Sequence, residues 1–250
     1  MHTPFFTQPK GLWERRGAPA EWIDLALDGA VRPLPNIFQQ DEEGYTVWHY
    51  WANANHPETL WEDIRAQTQD QIDHVCAKNG EHPLHRLCLT GKSAAAQLWV
   101  QEARTPLLAS MFLDTFWHSL AWNGNLDLFN TIAPHLDPVN INAPDESGTT
   151  PVMVACHRGN VDLIKAFLFF GADPNLCDEQ KRALLHHVAL YGDIALFTEM
   201  QDFGAMDDLR NDRGQTPRTI LNDRMKHGTA VDFDNSRLHW EKRWMSKTVF

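Results

Sequence analysis

Cysteine is scarce in this sequence. Its four residues, Cys76, Cys88, Cys156 and Cys177, are spread over 250 positions. That spacing suits neither a disulfide framework nor a paired Cys-x-x-Cys zinc site, so a reducing, cytoplasmic setting is expected. Long apolar runs are missing too. Stretches such as Ala166 to Phe170 fall far short of the roughly 18 residues that a bilayer crossing needs. The first twenty residues hold no apolar core of a secretory signal. Bases are outnumbered, 22 against 33 acids, and the net charge of −11 disfavours nucleic acid as a partner. No phosphate-cradling glycine loop, nucleophile elbow or His-Glu-x-x-His stretch occurs. The expectation is therefore a protein that is not an enzyme, with no catalytic residues, metal or cofactor.

What the sequence does hold is 43% apolar residues, enough for a sizeable core, together with ten Trp and an uneven charge. Residues 1–75 carry 12 acids and 5 bases, residues 76–177 carry 9 and 6, and residues 178–250 carry 12 and 11. From Arg210 onward bases outnumber acids, 9 to 5. An elongated molecule with this order would be a dipole, which bears on how partners are steered and not on fold.

The organising feature is an internal repeat. Residues 145–177 align without a gap on the 33 that follow. Thr150 falls on Ala183, Ala155 on Val188, Gly159 on Gly192, and Gly171-Ala172 on Gly204-Ala205. The same frame starts at Thr46, His82, Thr115, Thr150, Ala183 and Thr216, at intervals of 36, 33, 35, 33 and 33 residues. Physical reasons attach to the recurring residues. Thr followed by Pro, as at Thr150-Pro151, supplies an N-cap hydroxyl and a first-turn residue whose missing N–H costs nothing. The spacing predicts an inner helix over about 151–157, ending near Gly159, and a second over about 160–169, with Val161, Ile164 and Leu168 on one face. Small residues recur in the inner helix, at Ala52, Ala121, Ala155-Cys156 and Ala189, where helices must approach closely. The turn formers after Gly171 suit a projecting hairpin.

The pattern Asp-x-x-Gly-x-Thr-Pro-Leu-His-x-Ala-Ala-x-x-Gly, then a helix ending Leu-Leu-x-x-Gly-Ala-Asp-x-Asn, resembles ankyrin repeats over about residues 18–228. The resemblance implies an all-α fold, a solenoid of stacked helix-turn-helix units with projecting hairpin loops. Its His position is held by His49, His85, His118 and His186, which implies imidazoles bonded to loop backbone, and is Met153 and Thr219 in the other copies. Trp51 stands where a small residue is expected. Trp48 and Trp117 take the buried Leu position, and Cys88 and Cys156 stand in for Ala. The expected organisation is an N-terminal extension over 1–17, a capping helix and loop over 18–44, about six repeats over 45–228, and a C-terminal capping helix over 229–250 with Leu238 and Trp240 or Trp244 turned inward.

Thirteen histidines invite a metal reading, with His82 and His85, His186 and His187, or Asp73, His74 and Cys76 as ligands. The structural role at the repeat's own His position outweighs it, leaving His74 and His187 as strays. The resemblance implies protein binding by the hairpin tips and the exposed side of the inner helices. Carried over by position, the inner-helix pairs are Asn53-Ala54, Leu89-Thr90, Trp122-Asn123, His157-Arg158 and Leu190-Tyr191. The hairpin positions are Glu42, Glu43, Tyr45, Glu81, Met111, Phe112, Asp114, Glu146, Ser147, Thr149, Glu179, Gln180 and Arg182. Tyr45, Met111, Phe112, Trp122 and Tyr191 are large groups expected to face solvent, the composition of a binding hot spot. Asp41, Glu42 and Glu43 add acidity and point to a basic protein partner. The expectation is a stand-alone, membrane-free module, monomeric when free, that masks or inhibits such a partner as an immunity or antitoxin protein does. A bridging adaptor or host-directed effector is the alternative, and an enzyme using stray His and Cys residues comes behind it.

Overall fold

The structure, a computed structural model, describes residues 14–15, 17–29, 33, 39–68, 77–78, 80–102, 115–136 and 140–227. Every regular element among them is helical, and none is long and apolar enough to cross a membrane. The chain divides into two compact units, Met1–Asp137 and Pro138–Phe250.

In the first unit α1 (Ala20–Asp28) buries Trp22, Ile23, Leu25 and Ala26 and packs on α2 (Val47–Asn53). Gly29 ends α1 at φ 67°, and its N–H donates to the Leu25 carbonyl. A left-handed residue there satisfies an orphan carbonyl of the last turn. A 3₁₀ turn (Pro57–Leu60) leads to α3 (Trp61–Thr68), and two helix pairs follow, α4 (Pro83–Thr90) with α5 (Ser93–Glu102), then α6 (Phe116–Asn123) with α7 (Leu126–Ile132). The inner helices α2, α4 and α6 pack in succession, and the outer helices α5 and α7 pack on each other.

Aromatic rings dominate this core. Trp48, Trp51, Trp61 and Trp99 are at most 2% exposed, with ring centroids 5.3–6.0 Å apart. Burying a ring of this size stabilises by roughly 4–6 kcal/mol. The Trp48, Trp61 and Trp99 indole N–H groups have no acceptor among the described residues, which offsets about 1–3 kcal/mol for each. Trp51 is explained by the long first interval. The extra residues form the 3₁₀ turn, and the Pro57 carbonyl accepts the Trp51 indole N–H at 2.7 Å. Trp117 is fully buried against Phe116 and Phe129.

The second unit repeats the motif with α8 (Pro151–His157) and α9 (Val161–Phe169), α10 (Leu184–Tyr191) and α11 (Ile194–Asp202), and a final α12 (Pro217–His227). The outer helices start with side-chain caps. Asn160 Oδ1 accepts from the Leu163 N–H at 3.0 Å and Asp193 Oδ1 from Leu196 at 2.8 Å. Ala155, Ala189 and Cys156 are buried where α8 and α10 meet. Burial raises the Cys156 thiol to about 12 and pushes Cys88 higher still, so neither forms thiolate near neutral pH. The C-terminal capping helix read over 229–250, with Leu238, Trp240 and Trp244, lies outside the described residues, as does the extension before residue 14.

Candidate partner-binding surface

The hairpins are built by one device. In residues 41–45, 145–149, 178–182 and 211–215 the first side chain, Asp41, Asp145, Asp178 or Asn211, accepts the backbone N–H groups two and four residues on. A short polar side chain bonding its own loop makes this turn without a neighbouring strand. Successive hairpins then join through single backbone bonds. Lys78 donates to the Glu43 carbonyl at 3.0 Å, Glu179 to Ser147 at 3.1 Å and Asp212 to Gln180 at 3.0 Å. Gly148, at φ 75°, permits the approach, since a Cβ there would stand 2.9 Å from the Glu179 nitrogen. Lys181 occupies the matching place in the next hairpin at φ 57°, a left-handed lysine.

The repeat histidines tie each helix start to its own loop. Nδ1 of His49, His85, His118 and His186 accepts the backbone N–H three residues earlier, at 3.0–3.2 Å. An accepting Nδ1 leaves the proton on Nε2. His49 Nε2 then donates to the Glu81 carbonyl at 3.0 Å, and His186 Nε2 to the Gln215 carbonyl at 3.2 Å. These two imidazoles thus link one repeat to the next. Burial drives His49 down to about 4, and the bond to Glu81 only partly counters it. Among the described residues no group of three or more His, Cys, Asp or Glu side chains could hold a metal ion. His74, Asp73 and Cys76 lie outside them.

Several residues expected at the surface are inside. Tyr45 is 3% exposed, because its hydroxyl donates to Glu81 Oε2 at 2.9 Å and its ring packs edge-on against His49. Glu81 is half-buried and ion-paired at 2.7 Å with the buried Arg86. Burial raises the Glu81 carboxyl, but Arg86, His49 and the Tyr45 hydroxyl together outweigh it and hold the group below its ordinary value. Trp122 is 6% exposed, and Leu89, Ala54 and Thr149 are buried as well. Tyr45 and Leu89 share a cause, the bond that the next repeat makes to each. A position that faces water in an isolated repeat is covered once the neighbour stacks on it. Asn123 shows the same thing, half-buried and donating to the Leu89 carbonyl at 2.9 Å.

Other expected positions do reach solvent. Glu42, Glu146, Glu179 and Gln180 are exposed, and Glu43, Asn53, Thr90, Ser147, Arg158, Leu190 and Tyr191 are half-buried. Met111, Phe112 and Asp114 lie outside the described residues.

His187, a stray in the sequence, is fully buried in a polar array. Its Nδ1 is 2.9 Å from Nε2 of the half-buried His157, and its Nε2 is 3.4 Å from Asp178 Oδ2, which also accepts from Arg182 Nε at 2.8 Å. The Asp178 anion orients the chain, so His187 turns its Nε2–H toward Asp178 and its Nδ1 accepts from His157. Burial raises the Asp178 carboxyl, but the facing His187 ring and the hydrogen bonds from Arg182 outweigh that and hold it far below the usual carboxylate range. Burial lowers both histidines. Arg182 is therefore half-buried and committed to its own hairpin through Asp178 at 2.7 Å and Gln180 at 3.0 Å.

A cleft of about 420 Å³ lies between hairpins 178–182 and 211–215, with Leu190 of α10 and Ile220, Asp223 and Arg224 of α12 in its walls. Sequence reasoning missed the α12 residues, although the sixth frame, starting at Thr216, puts Asp223-Arg224 where Leu190-Tyr191 stands in the fifth.

Comparison with known proteins agrees with this geometry. Residues 117–206 match the family model described as ankyrin repeats, in 3 copies. Over 90 residues the chain is 30% identical to the E3 ubiquitin-protein ligase Ufd4 of Drosophila melanogaster, a stretch that is 36% of this chain and 3% of the ligase. The solved ankyrin repeat domain of Bcl-3, described as a unique member of the IkappaB protein family, superposes with a TM-score of 0.63 at 16% identity. That match covers 85% of this chain and 89% of the Bcl-3 chain, and it concerns the fold alone. With the repeat frame, the paired helices and the family match in hand, residues 117–206 are ankyrin repeats, and the chain as a whole has the fold of stacked ankyrin-like helix pairs.

Proposed function

We propose that this chain is a non-catalytic module that binds a basic surface of another protein and masks or inhibits it, in the manner of an immunity or antitoxin protein, in a reducing cytoplasm. Ankyrin repeats imply protein binding in general. The observation that carries the finer reading is the acidity of the hairpin tips within each unit. The second turn position is acidic in the hairpins that begin at Asp41, Asp145, Asp178 and Asn211, and Glu42, Glu146, Glu179 and Asp212 are all exposed there. Among the described residues the one base at this position, Lys78, is bound to the Glu42 carbonyl at 2.6 Å. In the second unit Glu146, Glu179 and Asp212 stand on hairpins joined in succession, and like charge there makes a field that attracts a basic partner and speeds encounter more than it adds affinity.

The test is affinity capture on immobilised full-length chain, beside a variant carrying Glu42→Lys, Glu146→Lys and Glu179→Lys. One dominant stoichiometric basic partner is expected, lost from the charge-reversed variant and weakened by salt. Two independent partners would make the chain an adaptor instead. Capture that the reversal leaves untouched would remove the tips from the interface.

A further inference from the structure

The cleft beside α12 carries a charge imbalance of its own. Its floor is apolar, from Leu190 and the buried Ile220. Asp212, Arg213 and Asp223 stand exposed on its rim, whereas Arg182 and Arg224 are half-buried. The two inner guanidiniums differ. Arg182 is matched by the buried Asp178 carboxylate. Arg224 donates to the Gly192 carbonyl, which satisfies one N–H but neutralises nothing, and no carboxylate pairs with it among the described residues. A guanidinium has five donors in a plane, so most of those on Arg224 remain available. Carboxylates on the rim are screened by water and salt, while a charge drawn below the surface is felt more strongly at short range.

We propose that this cleft takes a carboxylate side chain, a Glu or Asp of a bound protein segment, held by Arg224 from within and by Arg213 from the hairpin tip. A planar, forked donor matched to a planar, two-oxygen acceptor is the geometry that favours arginine over lysine for this task. Leu190 and Ile220 receive the apolar stem of the ligand residue. Asp212 and Asp223, on either element of the rim, face the residues flanking it. The segment that fits is therefore one acid between bases, which agrees with the acidic tips. This inference rests on the reading of the chain as a protein-binding module and adds the chemistry of one anchoring point.

The experiment uses fluorescein-labelled Ala-Lys-Ala-Glu-Ala-Lys-Ala and the same peptide with Gln in place of Glu, titrated with full-length protein by fluorescence anisotropy. The Glu peptide is expected to bind about tenfold more tightly, the scale of a charge-assisted bond. Arg224→Gln should abolish that preference. Arg213→Gln, at an exposed tip where folding is not at stake, should reduce it several-fold. Equal binding of the two peptides to the natural chain, or a preference that survives both substitutions, would overturn the proposal. Either result leaves partner capture by the acidic tips standing, and loss of capture in the charge-reversed variant is read without reference to the cleft.

Discussion

His49 offers a measurable account of how this fold responds to acid. The imidazole is 2% exposed, accepts the Thr46 N–H on Nδ1 and donates from Nε2 to the Glu81 carbonyl, an arrangement that needs the neutral ring. Burial lowers its pKa from 6.5 to about 4, while the unfolded chain keeps the ordinary value. The folded state therefore refuses a proton that the unfolded state accepts below about pH 6.5. Stability from this site is complete above that pH and is lost as pH falls through the folded value. Linkage gives a loss of about 2 kcal/mol by about pH 5, and about 3 kcal/mol in all. His82, His157 and His187 are shifted the same way and add to the total, so the useful quantity is a difference between proteins. His49→Gln keeps a polar, neutral side chain and removes the titration. It should cost about 1–2 kcal/mol near neutrality for imperfect hydrogen bonds, yet lose about 2 kcal/mol less than the natural chain between about pH 7.5 and about pH 5. Urea titrations at the two pH values, followed by amide circular dichroism, measure both. Identical pH slopes in the two proteins would refute the reasoning, as would a natural chain no weaker at the lower pH.

Two further substitutions probe the hairpins. Gly148→Ala puts a Cβ at φ 75° and 2.9 Å from the Glu179 nitrogen, whereas Gly159→Ala meets a similar φ of 68° with nothing within 4 Å. The first should cost about 2–3 kcal/mol and the second about 1, and equal losses in thermal unfolding would deny the hairpin ladder a role. Lys181→Gly relieves a left-handed lysine at φ 57° and should raise stability by about 0.5 kcal/mol, relief exceeding the entropy that glycine adds to the unfolded chain. A loss on this substitution would mean that the Lys181 side chain makes a stabilising contact.

What the sequence made legible was local or strictly periodic. Helix starts at Pro83, Pro151 and Pro217, the bonding of His49, His85, His118 and His186 to loop backbone, and the buried Trp48 and Trp117 all depend on a residue's place within its own repeat. What failed depended on the neighbour. Tyr45 is buried because Glu81, 36 positions away, takes its hydroxyl, and His187 has a role only because His157 and Asp178 converge on it. The cleft residues of α12 were in frame but fell in the sixth, least regular copy. A repeat pattern gives the face on which a side chain emerges. Only the stacked partner decides whether that face stays wet.

The four-tryptophan cluster has a consequence for how the protein handles light. With ring centroids 5.3–6.0 Å apart, the indole transition dipoles of Trp48, Trp51, Trp61 and Trp99 couple, and excitation absorbed by one ring migrates among all four before emission. Because the rings are inclined by as much as 85°, each transfer randomises polarisation. The packed core should therefore emit with low anisotropy even while each ring is held rigid, an optical mark of its closure.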